Sequence, residues 1–182
     1  RPLDHIVAPG RSHPPRTLEL LMTYSSRLDL PRAVAKASIT LLQARLVDAI
    51  DLEAQMKQAH WNVRGKDFLQ LHQLFDNVHT VVEEFVDTIA ERIAALGGVA
   101  DGRIGTVAAT TCLYEYPLAA HGGEAHLKAV AASLGEFGKL VRANIDEAAA
   151  GGDQDTADLF TGISRETDKQ LWFVEAHLDP VT

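Results

Sequence analysis

The segment 67–96 constrains the fold of this chain more than any other, because its apolar side chains recur every three or four residues over almost thirty positions. This spacing places them on one face of a helix, and Gly97-Gly98 ends the pattern. The segment therefore predicts a long amphipathic helix that must bury one face against other helices. The apolar face consists of Leu71, Leu74, Phe75, Val78, Val82, Phe85, Ile89 and Ile93.

Three other segments show helical spacing: 33–62, 124–150, and a stretch that begins at Asp153 or Asp155 and ends at His177. Residues 97–122 form a long connection with little periodicity, long enough to cross the end of a bundle. Alternation typical of a strand is absent from the sequence. We therefore predict an all-α fold, a ferritin-like four-helix bundle with a long crossover between the second and third helices.

The first 32 residues differ from the rest of the chain, because they contain five of its seven prolines. We expect residues 1–32 to form an extended, flexible Pro-rich N-terminal arm and residues 33–182 to form the bundle. Five arginines, no lysine and three carboxylates give the arm a charge of +2, so the total of −8 leaves −10 on the body. An acidic body disfavours binding nucleic acid through a broad basic surface.

Composition excludes several other classes of protein. A hydrophobic content of 46% is too high for a disordered chain, and the single cysteine excludes a disulfide framework or a multi-thiolate zinc site. We expect that cysteine, Cys112, to be a small buried side chain, with a reactive thiol as the alternative. Apolar runs fall short of the roughly 20 residues that cross a bilayer, so we predict no membrane span. The first residue is Arg1 rather than Met, so targeting stays open.

The polar face of the helix over 67–96 carries histidines and carboxylates, the side-chain types that commonly bind metals. These are His72, Asp76, His79, Glu83, Asp87 and Glu91. At about 100° per residue, the first and last lie within about 100° of each other around the axis. A solvated polar face is the alternative interpretation of this stripe.

Distance along the helix restricts how the stripe could bind a metal. Asp76 and Asp87 are separated by about 16 Å along the axis, whereas metal–ligand bonds measure only about 2.0–2.6 Å. Two copies of the helix packed antiparallel about a two-fold axis near Val81 would bring His72 and Asp76 of one copy to Asp87 and Glu91 of the other. The sequence permits this arrangement without requiring it.

A set of histidines and carboxylates without thiolates suits Fe²⁺, with Zn²⁺ and Mn²⁺ as competitors. Single-chain di-iron bundles use paired Glu-x-x-His motifs. This sequence contains no Glu-x-x-His, so we do not expect a conventional ferritin centre or a di-iron oxygenase.

Several motifs resemble the Dps family, the DNA-binding proteins from starved cells, which are dodecameric mini-ferritins. They are the runs 58–65 (QAHWNVRG), Phe68, 71–76 (LHQLFD), 87–92 (DTIAER), 96–98 (LGG), 116–117 (YP), 155–158 (DTAD) and 168–173 (DKQLWF). The resemblance covers residues 33–178, essentially the whole body.

The resemblance implies a homododecamer around a cavity, with ferroxidase sites at its two-fold interfaces. His60, His72 and Asp76 of one subunit would bind iron together with Asp87 and Glu91 of the partner. In such proteins Fe²⁺ is oxidised, preferably by hydrogen peroxide rather than oxygen, and ferric mineral is stored inside. This activity makes the expected protein a ferroxidase that protects DNA from oxidative damage.

The resemblance also implies roles for residues outside this set. Trp61 and Trp172 would lie near the site and intercept stray oxidising equivalents, with core packing as the alternative. An acidic cluster at the start of the last helix would line pores that admit iron, with helix capping as the alternative. That cluster is Asp153, Asp155 and Asp158.

Two further points bear on function. Asp4, His5 and His13 in the arm are candidates for an accessory metal site, against a plain solvated tail. Gln73 follows the second ligand histidine where many relatives carry an acid, so other carboxylates must nucleate mineral. The rival function is a nucleoid-associated structural protein whose arms coat DNA, which the weak charge of the arm disfavours. We expect a cytoplasmic protein; the absence of an initial Met leaves an exported form open.

Overall fold

A computed structural model of the chain describes residues 24–178, and these form five helices and no strands. The helices are α1 (Arg32–Asn62), α2 (Phe68–Ala95), α3 (Ile104–Thr110), α4 (Gly122–Gly151) and α5 (Gln154–Glu175). The four long helices agree with the segments expected from periodicity to within a few residues at each end. The all-α bundle with a long crossover between its second and third long helices is confirmed.

The long helices pack in a ring in which α1 contacts α2 and α4, while α5 contacts α4 and α2. Phe75 of α2, Phe137 of α4 and Phe160 of α5 are completely buried at its centre. Burial of each such side chain contributes about 1.5–3 kcal/mol to the stability of the fold. The apolar faces therefore hold the helices together. The apolar stripe expected on α2 lies against this core. The polar stripe is exposed at Glu83, Asp87 and Glu91 and partly covered at His72, Asp76 and His79.

The turn between α1 and α2 determines which side chains meet at that end of the bundle. α1 ends at Asn62, and Gly65 adopts a φ of 118°, in the left-handed region that favours glycine. Because the connection is so short, α2 returns directly along α1. The last turn of α1 therefore lies beside the first turn of α2, which places His60 next to His72.

The crossover contains a short helix that periodicity did not reveal. α3 packs against α1 and buries Val107. The backbone N–H of Asp101 donates to Gln43 Oε1 at 2.8 Å, and Gln43 Nε2 donates to the Asp101 carbonyl at 2.9 Å. Seven residues are too few for periodicity to show, so contacts with α1 stabilise this helix.

Cys112 corrects one expectation. Its backbone N–H donates to Oδ1 of the buried Asp48 at 2.7 Å, but its side chain is exposed. The prediction of a buried cysteine is wrong, because this position is anchored through its backbone. Burial raises the pKa of Asp48, and Arg45 forms an ion pair with it at 2.8 Å.

Among the described helices, none combines the length and apolar character needed to cross a membrane. The arm residues Asp4, His5 and His13 lie outside the described residues.

Candidate metal centre

His60 and His72 hold each other in a fixed orientation. Their rings stack with centroids 3.7 Å apart and an angle of 22° between planes. Nδ1 of His60 donates to the His72 carbonyl at 2.8 Å, and Nδ1 of His72 donates to the His60 carbonyl at the same distance. Phe68 packs against the His72 ring, with centroids 5.1 Å apart. We call this arrangement the histidine clamp.

The clamp also determines where each ring can bind a metal. A carbonyl oxygen only accepts hydrogen bonds, so Nδ1 of each ring must carry the proton. In the neutral imidazole, Nε2 then keeps its lone pair, and fixing one ring nitrogen through a backbone carbonyl is how proteins orient metal-binding histidines. The clamp therefore leaves the Nε2 atom of each neutral ring unprotonated.

Asp76 lies one turn after His72 and is partly exposed, with 46% of its side chain accessible. Lys57 Nζ donates to Asp76 Oδ1, and His60 Nδ1 lies 3.7 Å from the same oxygen. The hydrogen bond from Lys57 lowers the pKa of Asp76 below its usual range, so the carboxylate is charged. A cation that bound here would meet the Lys57 ammonium as a competitor.

Asp87 and Glu91 lie toward the other end of α2, and both are exposed. Eleven residues of continuous helix keep Asp87 about 16 Å from Asp76 along the axis. Within residues 24–178, no three His, Cys, Asp or Glu side chains of the single chain converge on one metal position. The clamp and Asp76 therefore lie at one end of α2, and Asp87 and Glu91 lie too far along the same helix to share a metal position with them in one chain.

Comparison with known proteins identifies the family of this chain. The sequence model of the family described as "Ferritin-like domain" matches residues 39–181. A "DNA protection during starvation protein" of Agrobacterium fabrum is 40% identical over 158 residues, which is 87% of this chain and 98% of the relative. The chain belongs to the Dps family.

Solved structures of Dps proteins share the fold closely. DpsA14 from Streptomyces coelicolor has a TM-score of 0.82 at 34% identity, covering 88% of this chain and 95% of that chain. A tetragonal form of Mycobacterium smegmatis Dps has the same TM-score at 29% identity, covering 86% of this chain and 96% of that chain. Membership of the Dps family gives the chain a general role in DNA protection and iron storage.

The two tryptophans lie at the surface of the single chain. Trp61 follows His60 directly and is 62% exposed, and Trp172 on α5 is 63% exposed, with its ring 5.0 Å from that of Phe173. Core packing within the chain, the alternative interpretation of both residues, is therefore wrong. A role beside the metal centre stays a prediction for this Dps protein.

The acidic cluster at the start of α5 separates into two kinds of carboxylate. Asp153 is buried and caps α5, accepting from the backbone N–H of Thr156 at 3.1 Å. Arg92 Nη2 contacts its Oδ1 at 2.8 Å. The capping alternative therefore holds for Asp153, whose carboxylate is fully engaged. Asp155 and Asp158 are exposed, so the predicted pore lining depends on these two residues.

Three contacts near the site were not expected from the sequence. Lys57 pairs with Asp76, His79 Nε2 lies 3.2 Å from Glu53 Oε1, and the Tyr116 hydroxyl is hydrogen-bonded to His126 Nδ1 at 2.7 Å. Lys57 precedes His60 by three residues in α1, so helical spacing would have placed both on one face. Spacing alone does not show that this face of α1 packs against α2.

Proposed function

We propose that this Dps protein oxidises Fe²⁺ at sites shared by two subunits and stores the ferric product inside a homododecamer. The histidine clamp and Asp76 of one subunit bind the iron with Asp87 and Glu91 of the partner subunit. The clamp carries this proposal, because its two carbonyl acceptors leave both Nε2 atoms available to a metal.

The division of ligands supports the two-fold arrangement. An antiparallel α2–α2 contact that sets Asp76 opposite Asp87 also sets His72 opposite Glu91, and an isologous interface then holds two equivalent sites. The solvent-exposed side chains of Asp87 and Glu91 are accessible to such a partner.

The proposed reaction is a two-electron reduction of peroxide. Two ferrous ions give up one electron each, the O–O bond of hydrogen peroxide breaks, and two protons are taken up to form two waters. Carboxylates favour the ferric product because they are hard anionic ligands. Pairing the electrons avoids the one-electron cleavage that releases hydroxyl radical, and oxygen would serve as the alternative oxidant.

The test replaces half of the site. The assembled variant His72→Ala with Asp76→Ala should oxidise Fe²⁺ at the rate of iron in buffer, with hydrogen peroxide or oxygen as oxidant. The matched control, His177→Ala with Asp146→Ala, removes an exposed histidine and an exposed aspartate elsewhere and should retain the wild-type rate.

Two results would contradict the proposal. One is wild-type oxidation by the His72→Ala, Asp76→Ala protein. The other is a monomer by light scattering under conditions in which oxidation proceeds, since each site needs two chains. Growth of a scattering ferric core within particles of constant radius would support storage.

A further inference from the structure

His79 and Glu53 form a second pair of metal-binding side chains apart from the histidine clamp. His79 on α2 and Glu53 on α1 approach to 3.2 Å between Nε2 and Oε1, and both are mostly buried, with 13% and 28% of the side chains exposed. Each lies one helical turn from the Lys57–Asp76 pair, on the side away from the clamp. Two helices therefore hold this pair in place.

The separation of the two atoms suits a shared metal ion. Two ligands bound to one divalent ion at about 2.0–2.1 Å, with an angle of about 105–110° between the bonds, lie about 3.3 Å apart. His79 Nε2 and Glu53 Oε1 already have almost that separation. An ion could bind between them with little movement of either side chain.

The partner subunit would supply a third ligand. In the register that sets Asp76 opposite Asp87, His79 lies opposite Glu84 of the partner, one residue from its Glu83. Glu83 is exposed and shares the polar stripe of α2 with His79. Near the middle of an antiparallel contact, this stripe faces its own copy across the two-fold axis.

We propose a second divalent-metal site near the two-fold axis, formed by His79 and Glu53 of one subunit and Glu83 of the partner subunit. It rests on the two-fold interface of the proposed function. One imidazole and two carboxylates favour a first-row ion such as Fe²⁺ over Ca²⁺ or Mg²⁺. The site lies about 4.5 Å along α2 from Asp76, so it holds Fe²⁺ close to the oxidation site.

The test removes the other histidines that the sequence offered as metal ligands, those of the clamp and of the arm. A background variant carries His60→Ala and His72→Ala, which remove the clamp, and His5→Ala and His13→Ala, which remove the arm histidines. The assembled background protein is titrated with Zn²⁺ by calorimetry and with Co²⁺ by visible absorption. We expect one tightly bound ion per subunit, with a Co²⁺ spectrum typical of mixed nitrogen and oxygen ligands.

Further substitutions test whether that ion is bound by His79 and Glu83. Adding His79→Ala should remove it, and adding Glu83→Gln, which alters only an exposed side chain of the single chain, should weaken it at least tenfold. The matched control, His177→Ala in the same background, should keep it. No bound ion in the background protein would overturn the proposal, as would binding unaffected by His79→Ala.

The outcome is separable from that of the proposed function. In the otherwise wild-type chain, His79→Ala should lower metal stoichiometry by one ion per subunit while the clamp site still oxidises Fe²⁺. Unchanged stoichiometry with intact oxidation would overturn only the second site. Undiminished oxidation by the His72→Ala, Asp76→Ala protein would instead overturn the proposed function.

Discussion

His60 and His72 hold each other's rings in a fixed orientation. Each ring is fixed by a backbone carbonyl of the other's residue and by stacking, so neither has to lose rotamer freedom on binding. Ligands that are already immobile bind more tightly than the same ligands on flexible side chains. The short turn between α1 and α2 is therefore as important to the proposed site as the imidazoles themselves.

Lys57 is predicted to weaken metal binding. Lys57→Met keeps a long side chain but removes the charge that pairs with Asp76. Because both side chains are partly exposed, the pair is worth only about 0.5–1 kcal/mol, and Zn²⁺ affinity should rise roughly two- to fivefold. Calorimetric titration of the assembled protein measures the change.

Lys139→Met is the matched control, since Lys139 is an exposed lysine paired with Glu136 on α4. It should leave Zn²⁺ affinity unchanged. Equal or weaker binding by Lys57→Met would show that Lys57 does not compete with the metal.

At the residue scale, the sequence indicated the ligand types but not their surroundings. The stripe on α2 and the motif around His60 were visible in the sequence. Three features depend on how α1 lies against α2. They are the carbonyl partners of the clamp, the Lys57–Asp76 pair and the exposure of Trp61. Spacing within one helix contains no information about that register.

At the scale of elements, Asp153 joins two helices by capping α5 and pairing with Arg92 of α2. Burial would raise the pKa of Asp153, but hydrogen bonds from Thr156 and the charge of Arg92 lower it overall. Asp153→Ala removes the cap and leaves Arg92 without this partner. We expect a loss of about 2–4 kcal/mol in the free energy of unfolding.

Urea denaturation of the assembled protein measures that loss. Asp155→Ala is the matched control, an exposed acid in the same helical turn, and should cost less than about 1 kcal/mol. Asp153→Asn keeps an acceptor for the cap and should fall between the two. A loss for Asp153→Ala no larger than that of the control would contradict this role.

Because of His126 on α4, we expect the folded protein to lose stability as the pH falls below neutral. Burial lowers the pKa of His126 below 6.5 and outweighs the opposite effect of the Asn62 backbone, while repulsion from His121 and Arg64 lowers it further. The Tyr116 hydroxyl is hydrogen-bonded to Nδ1. The unfolded chain therefore binds more protons than the native chain below pH 6.5. The contribution of neutral His126 to the free energy of unfolding should be fully present above pH 6.5. It should fall as the pH drops toward the pKa of His126 in the folded chain.

His126→Gln should flatten this dependence, which thermal unfolding between about pH 7.5 and pH 5 would measure. His177→Gln, at an exposed histidine on the last turn after α5, should keep the wild-type slope. A slope unchanged by His126→Gln would assign the acid sensitivity to other groups.

The long helices were predictable because glycines and apolar periodicity mark them over many turns. Gly152, with a φ of 92°, ends α4 where the sequence indicated a stop. The α3 helix was not predictable, since seven residues give no usable period and its stability comes from contacts with α1.

At the scale of the whole molecule, the distribution of charge limits how the protein could bind DNA. The arm carries +2 and the body −10, so any binding must come from several arms acting together. We expect retardation of duplex DNA in gels only at low salt, with steep loss as salt rises. Deletion of residues 1–23, which removes three of the five arginines of the arm, should weaken it, and retardation undiminished by the deletion would place the DNA contacts in the rest of the chain.

The proposed division of the ligands between two subunits has a genetic consequence if the site is built as proposed. An allele encoding His60→Ala with His72→Ala lacks one half of every site, and an allele encoding Asp87→Ala with Glu91→Ala lacks the other half. Each allele alone should leave cells without the activity. Expressed together, they restore one intact site in each mixed pair of subunits, or about a quarter of all sites under random pairing. Two inactive genes would thus complement one another inside a single cell.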